Sequence, residues 1–259
     1  MTDASFPPSL HNPSDGAAMA AATRRRLVAL FLVIPLALIG GSLAGLEIGR
    51  LSASSSYHDR RLEQVSGDLQ SVEGDYLLAI GDSHVARWQA REMCGLPLIN
   101  AGLHGATTAD ADATLARLAL PRPPRAIILT VGTNDANRKR FLEPPQAVTR
   151  FRHAFRALLR RVSRQTDLVV VTSLPAMDAR QAHAFSPEVA AEIATAAETS
   201  CRRHAACRVA EGFGTGIALR DGLHLVDYER AYASIAPQIC GALAEEQASP
   251  RQNADAGTP

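Results

Sequence analysis

Between residues 75 and 246 the chain carries short apolar runs that lack any polar alternation: Tyr76–Ile80, Leu96–Ile99, Ala126–Val131 and Asp167–Thr172. Runs of this length and composition predict strands covered on both faces. Cys207–Ala210, interrupted by Arg208, is a weaker fifth candidate. The intervening segments change to a helical period. Thr108–Leu118 opens on Thr107 and Thr108 as candidate caps, Pro144-Pro145 starts Gln146–Arg164, Pro187 stands at the start of Glu188–Arg203, and Tyr228–Ala244 closes the series. In Arg150–Arg164 the apolar residues Phe151, Phe155, Leu158, Leu159 and Val162 form one stripe with arginines opposite, which predicts a surface helix with a solvated basic face. Strands alternating with helices and joined by right-handed crossovers predict an α/β domain in three layers, α/β/α, around a parallel sheet of about five strands.

A different pattern precedes the domain. Leu27–Leu46 is a run of 20 residues without a charge, in which only Ser42 is polar, and about 20 such residues cross a bilayer core as a helix. Arg24-Arg25-Arg26 abut its N-terminal end and only Arg50 lies close to the other. That asymmetry predicts a cytoplasmic N-terminus and a catalytic domain on the far side, in a single-pass inner-membrane protein facing the periplasm. The alternative is a secreted protein, since Ser42-Leu43-Ala44 resembles a signal-cleavage site. The organisation that follows is a disordered cytoplasmic tail over 1–23, a signal anchor over 24–50, a Ser- and charge-rich stem over 51–74, a catalytic domain over 75–246 and a polar tail over 247–259.

Four polar segments fall just after the predicted strands, where open α/β sheets place their ligands: Gly81-Asp82-Ser83-His84, Asn100-Ala101-Gly102-Leu103-His104-Gly105, Gly132-Thr133-Asn134-Asp135 and Asp221-Gly222-Leu223-His224. An alcohol is a weak nucleophile at neutral pH and needs a base to take its proton and a third group to orient that base. Ser83, His224 and Asp221 fit those roles, because a spacing of three lets one turn bring the carboxylate beside the imidazole. The charge on a tetrahedral intermediate calls for preorganised N–H donors. The amides of Ser83 and Gly105 and the carboxamide of Asn134 can supply them, with Asp82 and Asp135 in support. His84, His104 and His224 come from three loops without the close pairing of metal motifs, so no metal is expected; His84 is placed at the start of a helix and His104 on the cleft wall.

These blocks resemble those of the SGNH (GDSL-type) hydrolases, in order, over roughly Asp75 to Ala244. Gly81-Asp82-Ser83 is similar to the first block with its nucleophile, Gly105 to the glycine donor of the second, Asn134 to the third, and Asp221 with His224 to the last. The Gly-Thr-Asn-Asp block is most like the small bacterial thioesterase/lysophospholipase-type esterases. His84 departs from the Leu of the eponymous motif, and Ser-His here is also like domains that transfer or remove acyl groups on polysaccharides. The resemblance implies a serine esterase that works without a cofactor on small-molecule, glycan or lipid esters. The alternatives are an O-acyltransferase or deacetylase of envelope polysaccharide, a lysophospholipase/thioesterase, and a silent envelope scaffold. The scaffold has no physical need for Ser83, Asn134, Asp221 and His224 together.

Composition adds little. In 259 residues the net charge of +1 gives no reason to expect a nucleic-acid partner, and neither a P-loop nor a GxGxxG fingerprint occurs, so no nucleotide is implied. Cys201 and Cys207 can form a local disulfide if the chain turns between them, while Cys94 and Cys240 are either a second pair or two free thiols. Glu211-Gly212-Phe213-Gly214-Thr215-Gly216 has no long apolar run, which argues against a deep acyl channel from this segment and for short-acyl substrates.

Overall fold

The computed structural model describes residues 57–141 and 143–248. The tail over 1–23, the apolar run Leu27–Leu46 and most of the terminal tail lie outside the described residues. Among the described residues, no helix is long and apolar enough to cross a membrane.

Elements are numbered in chain order: helix α1 (57–71), β1 (Leu77–Gly81), α2 (Ser83–Ala86), β2 (Glu92–Met93), β3 (Leu96–Gly102), α3 (Thr108–Arg117), β4 (Ala126–Thr130), α4 (Pro144–Val162), β5 (Val169–Thr172), α5 (Pro187–Arg202), β6 (Cys207–Ala210) and α6 (Tyr228–Ala248). The sheet order is β2-β3-β1-β4-β5-β6. β3, β1, β4, β5 and β6 are parallel neighbours. The sheet therefore has six strands rather than about five. The addition is the two-residue β2, antiparallel to β3 at one edge and too short to leave a hydrophobic run in the sequence.

Both faces of the sheet are covered, which is why its strands read as continuous apolar runs. Leu78, Ile80, Ile127, Leu129, Val169 and Val171 share one core with α1, α3, α4 and α5, whereas Leu77, Ala79, Ile128 and Val170 share the other with α2 and α6. The stripe of α4, from Phe151 to Val162, is buried as its spacing predicts. α3 begins with a capping box in which Thr107 and Asp110 satisfy each other's backbone N–H groups.

Two boundaries differ from the expected ones. Most of the segment expected to be a stem is α1, a packed part of the domain. Val65 and Leu69 are buried in the core, and Arg61 donates through Nη2 to the carbonyl of Asn100 (2.8 Å) and through Nε to that of Gly102 (3.3 Å). At the other end α6 continues to Ala248, past the expected start of the tail.

All four cysteines are paired, Cys94 with Cys240 and Cys201 with Cys207, at Cα separations of 5.4 and 5.2 Å. The first bridge ties the β2–β3 turn to α6 across 146 residues; the second closes a separation of 6. By loop entropy the long bridge contributes about 5 kcal/mol and the short one about 2. The pair Cys94→Ser/Cys240→Ser is therefore expected to lower Tm clearly more than Cys201→Ser/Cys207→Ser. Calorimetry giving equal or reversed losses would count against this ranking.

Candidate active site

The first site segment rests on the absence of two side chains. A Cβ at Gly81 would lie 2.2 Å from the carbonyl oxygen of Thr130, and one at Gly102 2.2 Å from the amide nitrogen of Ala86. β1 and β3 thus approach β4 and α2 at backbone distance. Asp82 caps α2, accepting from the His84 amide through Oδ1 at 2.9 Å, which leaves Ser83 as the first helical residue. The far end of this short helix is held by Asn100, whose Nδ2 donates to the carbonyls of Val85 (2.7 Å) and Trp88 (2.6 Å). Asn100 Oδ1 in turn accepts from Arg61 Nη2 (3.1 Å) and the Gly102 amide (2.9 Å).

The partners of Ser83 arrive on a clip made by residues 218–226. Val226 N–H donates to the carbonyl of Ala218 (3.0 Å), Arg220 N–H to that of His224 (2.7 Å), and Leu219 bridges Leu225. Gly222 at the turn has φ of +77°, and a Cβ there would lie 2.6 Å from Gln181 Cβ. Asp221 Oδ1 accepts from the amides of Leu223 (3.1 Å) and His224 (2.8 Å). Its Oδ2 stands 2.8 Å from His224 Nδ1, and His224 Nε2 stands 3.0 Å from Ser83 Oγ. Partial burial raises the Asp221 carboxyl, but the hydrogen bonds from the His224 ring, the His224 amide and the Leu223 amide outweigh it and hold it at about 2. An ionised Asp221 can only accept, so Nδ1–H donates to it and Nε2 is left as the acceptor for the Ser83 hydroxyl. This is the polarity a general base requires.

Gly105 has φ of +73°, a conformation that favours glycine. Asn134 opens a short 3-10 turn after β4 and is buried, and its Nδ2 has no hydrogen-bond partner among the described residues. A buried donor left unsatisfied costs about 1–3 kcal/mol, and an oxygen of a bound ligand would remove that cost. Asp135 Oδ2 accepts from Thr108 N (2.9 Å) and Oγ1 (3.0 Å), binding the third segment to the start of α3.

The structure thus brings Ser83, His224 and Asp221 into one hydrogen-bonded chain, with Asp82 and Asp135 as anchors of the surrounding backbone. Two positioning residues were not identified from the sequence. Asn100 carries only the signal of a polar residue ending an apolar run. Tyr228 lies in the first turn of α6; its hydroxyl accepts from Leu225 N–H (3.3 Å) and stands 3.1 Å from Nδ1 of the fully buried His84. Burial, then the nearby His224 and Arg87, push His84 down to about 3, so it remains neutral, with one hydrogen bond between its Nδ1 and the Tyr228 hydroxyl. His104 lines a cleft beside this helix.

A model of the GDSL-like lipase/acylhydrolase family matches residues 74–233. No curated protein sequence matches the chain. Among solved structures, a lipase/acylhydrolase from Enterococcus faecalis is similar at 22% identity and a TM-score of 0.54, over 65% of this chain and 96% of that one. A GDSL-like lipase from Bacteroides thetaiotaomicron is similar at 12% identity and TM-score 0.56, over 71% and 98%. An acetyl xylan esterase from Geobacillus stearothermophilus is similar at 14% and 0.50, over 65% and 95%.

The buried carboxylates set a pH dependence of stability. Burial raises Asp135 to about 6 and Asp82 to about 7, against the hydrogen bonds that lower each, whereas an unfolded Asp titrates near ~3.9. The folded state binds the extra protons, so their stabilisation is complete below about pH 4 and is lost as pH rises through these values. Tm is expected to fall across that window. Asp135→Asn, which keeps an acceptor oxygen for Thr108, should flatten the part below about pH 6; an unchanged slope in thermal melts would exclude Asp135 as its source.

Proposed function

The chain belongs to the GDSL-like lipase/acylhydrolase family, and from that premise we propose a membrane-anchored serine esterase that cleaves short-acyl carboxylic esters through an acyl-enzyme. It is an ester hydrolase. The observation that carries the residue assignment is the chain Ser83 Oγ, His224 Nε2, His224 Nδ1, Asp221 Oδ2, with links of 3.0 and 2.8 Å. His224 takes the hydroxyl proton as Ser83 attacks the carbonyl carbon, and Asp221 stabilises the imidazolium that forms. The resulting oxyanion is received by the amides of Ser83 and Gly105 and by Asn134 Nδ2, the buried donor without a partner. His224 then gives its proton to the departing alcohol. Water, activated by the same ring, attacks the acyl-serine, and collapse of the second intermediate returns the proton to Ser83. No step needs a cofactor.

Support for a short acyl group comes from the polar surroundings of Ser83 and from an acetyl xylan esterase among the similar folds. A second reading, a lysophospholipase or thioesterase, is favoured by one feature invisible in the sequence. A cavity of about 640 Å³ lies between Leu174, Met177, Ile217, Leu219 and Leu225, next in sequence to His224, and the glycine-rich loop 212–216 forms part of its wall. Ser83, Gly105 and Asn134 do not line it. An ester series from acetyl to dodecanoyl separates the readings. The expected result is highest kcat/KM at the short end, abolished by Ser83→Ala and lowered about 10²–10³-fold in kcat by Asn134→Ala. A steep climb with chain length, at up to about 0.8 kcal/mol per buried methylene, would establish the lipid reading instead.

For the compartment, the uncharged run Leu27–Leu46, the flanking Arg24–Arg26 and two disulfides support a periplasm-facing domain on an inner-membrane anchor. Transfer of the acyl group to a glycan hydroxyl would use the same acyl-enzyme. The anchored form is expected in the membrane pellet after a high-salt wash, with a reporter fused after Pro259 active only outside the cytoplasm. A soluble mature protein starting near Gly45 would replace the anchor with a cleaved signal.

A further inference from the structure

A cleft of about 620 Å³ opens between the C-terminal end of α2, His104 and residues 220–229, and it is lined by Arg87, His104, Arg220 and Tyr228 together with the carboxylates Asp227 and Glu229. Ser83, Gly105, Asn134 and His224 do not line it, and it adjoins them through their neighbours in the chain. Arg87 follows Ser83 by four residues, and its amide donates to the Ser83 carbonyl at 3.1 Å, so the two share a helix face. Arg220 precedes Asp221, and its amide donates to the His224 carbonyl at 2.7 Å.

The two arginines and two carboxylates of this cleft match in number but form no ion pair with one another. Asp227 Oδ1 accepts from the Arg230 amide (2.9 Å) and Glu229 Oε1 from the Gln89 amide (2.9 Å). Both acids lie at the N-terminus of α6, whose dipole and free amides favour negative charge. Arg87 and Arg220 have no carboxylate partner among the described residues. Arg87 Nε is buried with no acceptor, an arrangement that leaves a charged donor group waiting for one. Its field is felt nearby: after burial, Arg87 is the largest influence pushing His104 below the usual imidazole range. A third cation, Arg140, places Nη2 3.7 Å from where a Cβ of Gly105 would sit, and its own pairing with Asp110 is long at 3.9 Å.

We propose that this cleft is an anion subsite, and that the natural ester carries a carboxylate or phosphate group beside the scissile bond, held by Arg87 and Arg220. The inference deepens the esterase reading and rests on Ser83 as the reacting centre. A guanidinium pair suits either anion because its N–H groups can meet two oxygens at once.

Binding tests it without turnover. Ser83→Ala protein is titrated by calorimetry with glucose, glucuronic acid and glucose 1-phosphate. The anionic sugars are expected to bind about tenfold or more tighter than glucose, and the better of the two identifies the anion class. Adding Arg87→Gln and Arg220→Gln should remove the preference with the thermal melt preserved. Equal binding of all three sugars, or a preference that survives both substitutions, would overturn the subsite. In wild-type protein the ratio of kcat/KM for acetylated glucuronic acid over acetylated glucose should exceed unity by a similar factor and fall in the double variant. Ser83-dependent cleavage with a ratio of one removes the subsite and leaves the esterase; arginine-dependent anion binding without ester cleavage does the opposite.

Discussion

Backbone packed directly on backbone is the constraint from which the site follows. Gly81 and Gly102 bring β1 against β4 and β3 against α2 at distances that no Cβ tolerates, so the chain leaving β1 must turn at once into α2. Asp82 caps that turn from beneath, and Ser83 emerges at the first helical position with its hydroxyl toward the clip. A helix of four residues has little stability of its own. Asn100 supplies what the helix lacks by donating to the Val85 carbonyl within it and to the Trp88 carbonyl just beyond its end, and Arg61 on α1 fixes Asn100. Ser83 is therefore held by side chains from α1 and β3 as well as by its own strand.

The second consequence is electrostatic. Closing these segments over one another buries Asp82, His84, Asn134 and Asp135, groups that water would otherwise solvate. Asp135 is compensated by the Thr108 amide and hydroxyl, and Asp82 at Oδ1 only, by the His84 amide, its Oδ2 having no hydrogen-bond partner among the described residues. Asn134 Nδ2 is not compensated at all. Within a family of ester hydrolases, an uncompensated donor at the carboxyl end of a central strand is the arrangement expected of a site that stabilises charge absent from the resting protein.

Much of this was legible in the sequence because the signals were local. Four of the five parallel strands leave apolar runs because both faces are covered, Arg208 interrupting the fifth, and Pro144, Pro187 and Thr107 mark helix starts through backbone chemistry alone. What escaped depended on distant parts of the chain. α1 carries five charged residues and two serines, and its apolar residues Leu62, Val65 and Leu69, spaced on one helical face, were outweighed by that composition. β2 pairs over two residues only. The Cys94–Cys240 bridge spans 146 positions, and no spacing rule selects it over two free thiols. Asn100 and Tyr228 act by hydrogen bonds to backbone far from them in sequence, so their residue types alone carry no assignment.

His224 shows how far such dependence reaches. His224 sits on a surface clip whose Leu223 and Leu225 are buried, and loops are free to move unless something fixes them. Asp221 orients the ring through three hydrogen bonds inside the clip, but those bonds do not locate the clip relative to Ser83. Two outside contacts do: Asp178 N–H donates to the Gly222 carbonyl (2.8 Å), and Tyr228 accepts from Leu225 N–H while meeting His84 next to Ser83. Tyr228 belongs to α6, which lies on the sheet through Tyr232, stacked 3.7 Å from Trp88, and through Ile235 and Ile239, and which Cys240 bonds covalently to the β2–β3 turn. The placement of His224 Nε2 beside Ser83 Oγ thus depends in part on the docking of a whole helix. A neutral His84 suits this position better than a charged one, since an imidazolium here would repel the His224 cation that forms during attack.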